Sequence, residues 1–525
     1  MHYIIGSGPT GVSCAYALLR QGRKVTLLDV GLELEAGRSR QLVALQSIPP
    51  QQWGPVERAF LKEGMEADTA GIPAKLIYGS DFPYRGIAGA TEVKLEKASV
   101  ATSYAQGGFS NVWGSVVLPY RQSDMEDWPI DANRLAMHYR FVFEFMPLAA
   151  RRDGLEQQFP LHAESYQPLE MSRQAAAMLQ DMERHASNLA AKGVQYGAAR
   201  VAVHARQNGH DCVRCGLCMY GCPYQLIYST RTTLRQLQQN PDFHYVSGFH
   251  AKRVEEIGDQ VKISGMCLPG QTPQSFVGER VYLSCGFLET TALLLRSLDM
   301  YDHATPASDS QYFLLPLLRL RGLAGVRLEA LHTLAQLFLE IDDRTVSPYT
   351  VHLQTYTYND LFEVALRSAL WGAGRILATT ALLSRLLLFQ GYLHSSQSGR
   401  LSIELRRQSS GEDLLHVSAT EQPETRRQIG AIIRKLFTML GDLRAVPLPS
   451  LLRVGAPGRG FHGGGSLPMR QHPQGLETDV FGRPAGLRRI HAVDSSIFPS
   501  IPATTITLAA MANAHRIGDE WGLYA

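Results

Sequence analysis

Fourteen residues, CVRCGLCMYGCPYQ from Cys212 to Gln225, hold four of the chain's seven cysteines. Cys212, Cys215, Cys218 and Cys222, with Pro223 directly after, have the C-x2-C-x2-C-x3-C-P spacing of bacterial iron–sulfur sites. Short spacings let three thiolates reach neighbouring corners of an iron–sulfur cube, and Gly216 and Gly221 supply tight turns between them. In two-cluster proteins the fourth cysteine of such a run serves the other cluster. A single cluster here therefore needs Cys222 in a different local fold, a remote Cys267 or Cys285, or only three irons. Zinc suits the spacing less well, because structural zinc sites usually split into two separated pairs. A cysteine-rich turn without metal is the third reading.

A second chemical signal lies at the N-terminus, in YIIGSGPTGVSCAYALLRQGRKVTLLDVG. Gly6, Gly8 and Gly11 form G-x-G-x-x-G between a short apolar strand and a helix, and a second strand ends in Asp29. That arrangement is the fingerprint of a dinucleotide-binding βαβ unit. Gly6 permits the tight turn, Gly8 lets backbone approach a pyrophosphate, and Gly11 lets the helix lie close on the sheet. The helix N-terminus offers free N–H groups to the phosphates, and Asp29 accepts from an adenosine ribose. Cys14, inside the helix, reads as a small core residue.

The elements that position these groups must come from a chain of 525 residues, enough for more than one lobe. A hydrophobic fraction of 45% and a charged fraction of 19% describe an ordinary globular protein. The net charge of +3 gives no electrostatic footprint for nucleic acid. No leader is visible before the first strand, so a cytoplasmic location is expected, where clustered cysteines bind metal or do redox work. No run of about 18 uncharged apolar residues suggests a transmembrane helix. Residues 364–394 are strongly apolar but interrupted by Arg367, Arg375 and Arg385. That pattern suits a helix on a membrane surface or over an apolar substrate, or a buried pair of helices. Residues 251–265 read as a β-hairpin, 399–420 as two strands of a substrate sheet around a Ser-Gly turn, and 424–443 as an amphipathic helix.

Four further stretches resemble one family. AQGGFSNVWGSVVLP (105–119), VYLSCGFLETTALLLRS (281–297) and RIHAVDSSIFPSIPATTITLAAMANAHRIGDEW (489–521) are similar to segments of glucose-methanol-choline (GMC) flavoproteins, in family order. SDMEDWPIDANRLAMHYR (123–140) resembles their sugar- and polyol-oxidising branch. The resemblance implies an α/β fold: a Rossmann-like FAD-binding domain plus a substrate domain with an antiparallel sheet covered by helices. It divides the chain into FAD-binding parts 1–135, 201–310 (with the cysteine-rich insert 212–223) and 445–525. Residues 136–200 connect, and 311–444 form the substrate domain. By the same resemblance Gly107, Gly108, Ser110, Asn111, Trp113 and Glu289 serve the cofactor, the two glycines beside the isoalloxazine. Asp494 sits near its phosphates or ribityl chain.

Flavin-dependent oxidation of an alcohol needs a base for the hydroxyl proton while hydride leaves carbon, and histidine suits that best near neutrality. GFHGGGSLPMR (460–470) resembles the family segment that carries this base, at His462. The family's second residue, a His or Asn, is missing: Ile501 or Thr505 stands in its place, according to the spacing used. Thr504 or Thr505 can position a substrate oxygen but cannot act as a base. His462 then works largely alone, His472 or His491 is recruited, or the chemistry is not simple alcohol oxidation. The expectation is oxidation of a sugar, polyol or sugar-like hydroxyl, with electrons leaving through a cluster to an acceptor protein or quinone. The alternatives are a lipid- or sterol-like alcohol at a membrane surface, and a flavin- or cluster-bearing binding protein without turnover.

Overall fold

Four strands whose residues are nearly all buried, His2–Ile5, Val25–Leu28, Arg280–Leu283 and Ile490–Ala492, can only sit in a parallel sheet covered on both faces. The structure, a computed structural model describing residues 1–64, 75–207, 210–369 and 375–520, joins them in that way. The sheet order is Ile490–Ala492, Arg280–Leu283, His2–Ile5, Val25–Leu28, Phe243–Val246, all parallel. Helix Pro9–Arg20 lies against the C-terminal helix Ile506–Glu520, where the Ser13 hydroxyl donates to the Met511 carbonyl at 2.7 Å. Strands from the beginning, middle and end of the chain thus share one core, which includes Ile4, Leu27, Leu283 and Ile517.

The expected hairpin is there as Phe249–Ile257 and Gln260–Cys267, extended to three strands by Thr272–Gly278. A seven-stranded antiparallel sheet forms the second large layer. Tyr312–Arg319, Leu386–Tyr392, Val351–Tyr356, Leu337–Ile341 and Val194–Ala198 lie side by side, with Ala445–Pro447 and Arg453–Val454 pairing the free edge of the first. One face buries Phe313, Leu315, Leu387 and Phe389 against helices Arg173–Arg184 and Pro423–Thr438, through Met178, Met182, Ile429 and Ile432. Each of these apolar side chains contributes about 1.5–3 kcal/mol of burial. The sequence-predicted helix 424–443 therefore covers this sheet, closing with the short helix Leu440–Leu443.

Two expectations change. The strands Arg400–Arg407 and Asp413–Thr420 exist, but they pair with Thr305–Asp309 and Glu92–Glu96 in a separate five-stranded sheet. Their apolar faces, Leu401, Ile403, Leu415 and Val417, bury Leu288 and Ala292 of helix Phe287–Ser297, next to the parallel sheet. In the stretch 364–394, helices run Asp360–Ala369 and Arg375–Leu383, and residues 370–374 lie outside the described residues. The surface-helix reading of Arg367 and Arg375 likewise falls on side chains outside the description. From Leu386 the chain is not helix but a central strand. Leucine on both faces hid its two-residue period. Among the described residues no helix is long and apolar enough to cross a membrane.

Candidate active site

The loops after the parallel strands open a cleft at their carboxyl ends, where an α/β sheet binds its ligands. Gly6 turns with φ +102°, and a Cβ there would lie 2.4 Å from the Ser284 carbonyl oxygen. A Cβ on Gly11 would lie 2.0 Å from the Gly6 oxygen, so the helix approaches the turn too closely for any side chain. At Gly8 a Cβ would meet nothing within 4 Å; the space above it is the cleft. Pro9 occupies the first helical turn and no side chain caps it, which leaves N–H groups for an anion.

Asp29 lines the cleft and is the hub of its floor. It accepts from the Ser7 hydroxyl and, at 3.1 Å, from the Tyr245 phenol. Burial pushes its carboxyl up to about 6, against the pull of those donors. The Ser7 oxygen in turn accepts from the Gly107 amide at 2.8 Å, tying the glycine loop at 107 to the fingerprint turn. Gly107 and Gly108 both take positive φ, and a Cβ on Gly108 would be 3.6 Å from the Gly8 Cα. Ser110 and Asn111 shape this loop from within. Ser110 donates to the Gly107 carbonyl, and the Asn111 amide donates to the Gln106 and Gly108 carbonyls at 2.9 and 2.7 Å. Half-buried Glu289, its pKa raised by desolvation, accepts from the Tyr104 phenol at 2.8 Å. Asp494, raised for the same reason, accepts from the Thr290 hydroxyl and the Ser496 amide; both acids line the cleft.

A second cavity of about 740 Å³ adjoins the first, sharing Pro9, Phe109, Phe461 and Thr507 with it. Its far wall is the free face of the seven-stranded sheet, with Leu314, Gln354, Leu388, Gln390 and Tyr392. His462 enters it from the glycine-rich segment, held by the Ser310 amide on its carbonyl at 3.1 Å. The imidazole stacks on the Tyr392 ring, and no described group hydrogen-bonds its Nδ1. Burial is the main cause, and the nearby His352 a lesser one, that brings its pKa down to about 3. The ring is neutral at physiological pH and open to a proton, although burial also makes it a weaker base than an ordinary histidine.

The other candidates separate. Thr505 lines the cavity and its hydroxyl accepts from the Leu118 amide at 3.2 Å; Thr504 is buried and not on the wall. Trp113 lines the cavity and donates to the Tyr228 carbonyl at 2.8 Å. His491 is buried in the parallel sheet, bonded to the Phe481 carbonyl and stacked on Tyr282, and His472 is exposed. Neither reaches the cavity.

The cysteine run was expected to hold an iron–sulfur cluster or zinc, or to be a turn without metal. Cys212, Cys215, Cys218 and Cys222 all pack against one apolar cluster, yet among the described residues no three Cys, His, Asp or Glu side chains are placed to hold a metal ion. The four thiols nevertheless lie near enough to act on one another's charge. Local bonds set the loop: Cys215 bridges to Leu331, the Cys218 sulfur accepts from the Thr333 amide at 3.4 Å, and the Cys222 carbonyl accepts from the Tyr78 phenol at 2.8 Å. Cys285 lines the cofactor cleft and Cys267 lies in the three-stranded sheet, so neither completes a ligand set. What the run gives the site is Met219, on the cavity wall.

Sequence reading missed the sheet's contribution, Gln354, Gln390 and Tyr392. The signal was the alternation in HLQTY and LLLFQGY, where polar groups recur at every second residue.

Residues 4–34 match the NAD(P)-binding Rossmann-like domain family. No curated protein matches the chain in sequence. In fold the chain is similar along its length to pyridoxine 4-oxidase from Mesorbium loti, with TM-score 0.61 and 13% identity over 100% of this chain and 99% of that one. It is similar to a variant of formate oxidase from Aspergillus oryzae, with TM-score 0.60 and 13% identity over 99% and 98%. An FAD-dependent oxidoreductase from Chaetomium thermophilum gives TM-score 0.61 and 12% identity over 98% of both chains. At such identities the likeness establishes a common fold, and it is the fold implied by the GMC-like motifs.

Proposed function

We propose that the chain is an FAD-dependent oxidoreductase of the GMC type that oxidises a hydroxyl-bearing carbon, with His462 as the base. The observation that carries this reading is His462, half-buried with its Nδ1 unbonded by any described group, on a cavity whose wall continues into the dinucleotide cleft. The residues present fit the cofactor. The Gly6–Gly8 turn and the helix start at Pro9 would hold the pyrophosphate, Asp29 the adenosine end, and the Gly107–Gly108 loop and Asp494 the flavin side. When bound, FAD supplies the acceptor for the hydride that leaves the carbinol carbon.

The protein's own part is proton management and exclusion of water. His462 takes the hydroxyl proton, so the carbon–oxygen bond becomes a carbonyl as the hydride departs. The Thr505 hydroxyl, already fixed by the Leu118 amide, can orient the oxygen but not deprotonate it. Phe109 and Phe461, whose ring centroids lie 5.1 Å apart, form an apolar wall where the two cavities meet.

Replacing His462 with Ala tests the reading. Bound FAD should stay, while reduction by an accepted alcohol under anaerobic conditions should slow by about 10²–10⁴-fold. Unchanged flavin reduction in that variant would rule out His462 as the base.

A further inference from the structure

The register of the substrate sheet sorts the cavity wall into rows. Tyr392 stands opposite Tyr312 on one side and His352 on the other. The next row is Leu314, Gln390 and Gln354, and the next Pro316, Leu388 and Tyr356. Leu318 and Leu386 follow. Successive rows are about 6.8 Å apart, so the wall runs roughly 20 Å from Tyr392 to Leu386. It is polar at the His462 end and hydrocarbon at the other.

The polar groups near His462 are also tied to one another. The Gln390 amide donates to the Tyr392 phenol at 2.8 Å, and the Tyr356 phenol donates to the Gln354 oxygen at 3.0 Å. Gln354 meets His352 at 3.2 Å, and His352 meets the buried Glu340 at 2.5 Å. Polar groups line the other walls too, among them Ser110, Ser115, Asn359 and Ser450, so the hydrocarbon character belongs to the sheet wall. No carboxylate lines the cavity among the described residues. Its charged side chains are cations: Lys75, donating to the Trp113 carbonyl at 2.7 Å, exposed Arg453 and half-buried Arg459. Met219, Leu334, Leu361, Phe362 and Leu452 complete the hydrocarbon part.

We propose that the substrate is an amphipathic alcohol, its single carbinol carbon at the Tyr392–His462 end and its hydrocarbon body along Leu314, Pro316, Leu386 and Leu388. This rests on the reading of His462 as the base, and it replaces the expectation of a sugar or polyol. A sugar lying along those rows would set several hydroxyls against leucine side chains, which cannot receive them.

The test uses the FAD-loaded, unmutated protein and a ladder of primary alcohols from ethanol to decanol, beside glycerol, sorbitol and glucose. Anaerobic flavin reduction gives kcat/KM, and calorimetry gives Kd for the same compounds. The expected result is a rise in kcat/KM of roughly fourfold per methylene, with Kd falling in step. Leu388→Ser should flatten that slope. A flat ladder with faster reduction by sorbitol or glucose would overturn the substrate class and leave the His462 mechanism standing. Chain-length-dependent binding with no flavin reduction by any alcohol would overturn the proposal and the proposed function together.

Discussion

The imidazole of His462 and the phenol ring of Tyr392 lie face to face, 4.5 Å between centroids and 18° from parallel. One belongs to the glycine-rich segment before the last parallel strand, the other to the middle of the substrate sheet. The stack is therefore where the two layers set each other's geometry. Tyr392→Ala removes the surface that holds the imidazole plane, and kcat should fall by roughly 10²-fold. Tyr392→Phe keeps the ring and loses only the acceptor for Gln390, so most of the rate should remain. Single-turnover flavin reduction rates of both variants check this.

Acid should spare the base and weaken the fold. Burial holds His462 near 3 instead of 6.5, so it stays neutral on acidification and kcat/KM should be flat from about pH 8 to about pH 5. An acid limb near pH 6.5 would show that burial does not lower the pKa of His462 in the working enzyme. His250, His491 and His515 are also lowered to about 3 by burial. Their folded pKa values lie below the unfolded value, so the unfolded chain binds protons first. Stability is full above pH 6.5 and is lost as pH falls through that value. Tm measured at pH 8 and pH 5 should show the drop.

The three fingerprint glycines should fail differently. Gly11→Ala puts a methyl group 2.0 Å from the Gly6 oxygen and should prevent a folded FAD lobe. Gly8→Ala meets no protein atom, and its φ of −64° suits any residue. That variant should fold with Tm nearly unchanged but hold FAD about tenfold more weakly, because the methyl occupies the space meant for the pyrophosphate. Gel filtration followed by the flavin-to-protein absorbance ratio separates the two.

The cysteine run should be silent in catalysis. Cys215→Ser and Cys222→Ser place a hydroxyl in a half-buried apolar cluster and should cost about 0.5–3 kcal/mol of stability. FAD content and the rate of flavin reduction should not change. Iron or zinc in stoichiometric amount in the unmutated protein, lost in these variants, would reverse that conclusion.

Much of the cofactor half was legible, because its demands are local. A turn at Gly6, a close approach at Gly11 and an acid after the second strand each need one residue type at one place. The substrate half was not, because a strand buried on one face and lining an apolar cavity on the other shows no contrast. Leu386, Leu387 and Leu388 look alike in sequence, although Leu387 is buried in the core under the helices and Leu386 and Leu388 are half-buried on the other face. The cysteine run is read differently by its spacing and by its local bonds. Its spacing is specific, but spacing does not fix where four side chains point once Thr333, Leu331 and Tyr78 hold the loop.

The alternation in Leu386–Tyr392 also constrains how the specificity of this chain can drift. Because Leu387 and Phe389 serve the core while Leu388 and Gln390 serve the cavity, selection can rewrite every second letter without disturbing stability. A single-residue insertion in the strand would exchange the two sets at once. New substrates are thus reachable by point substitution on this strand, and closed to it by changes of length.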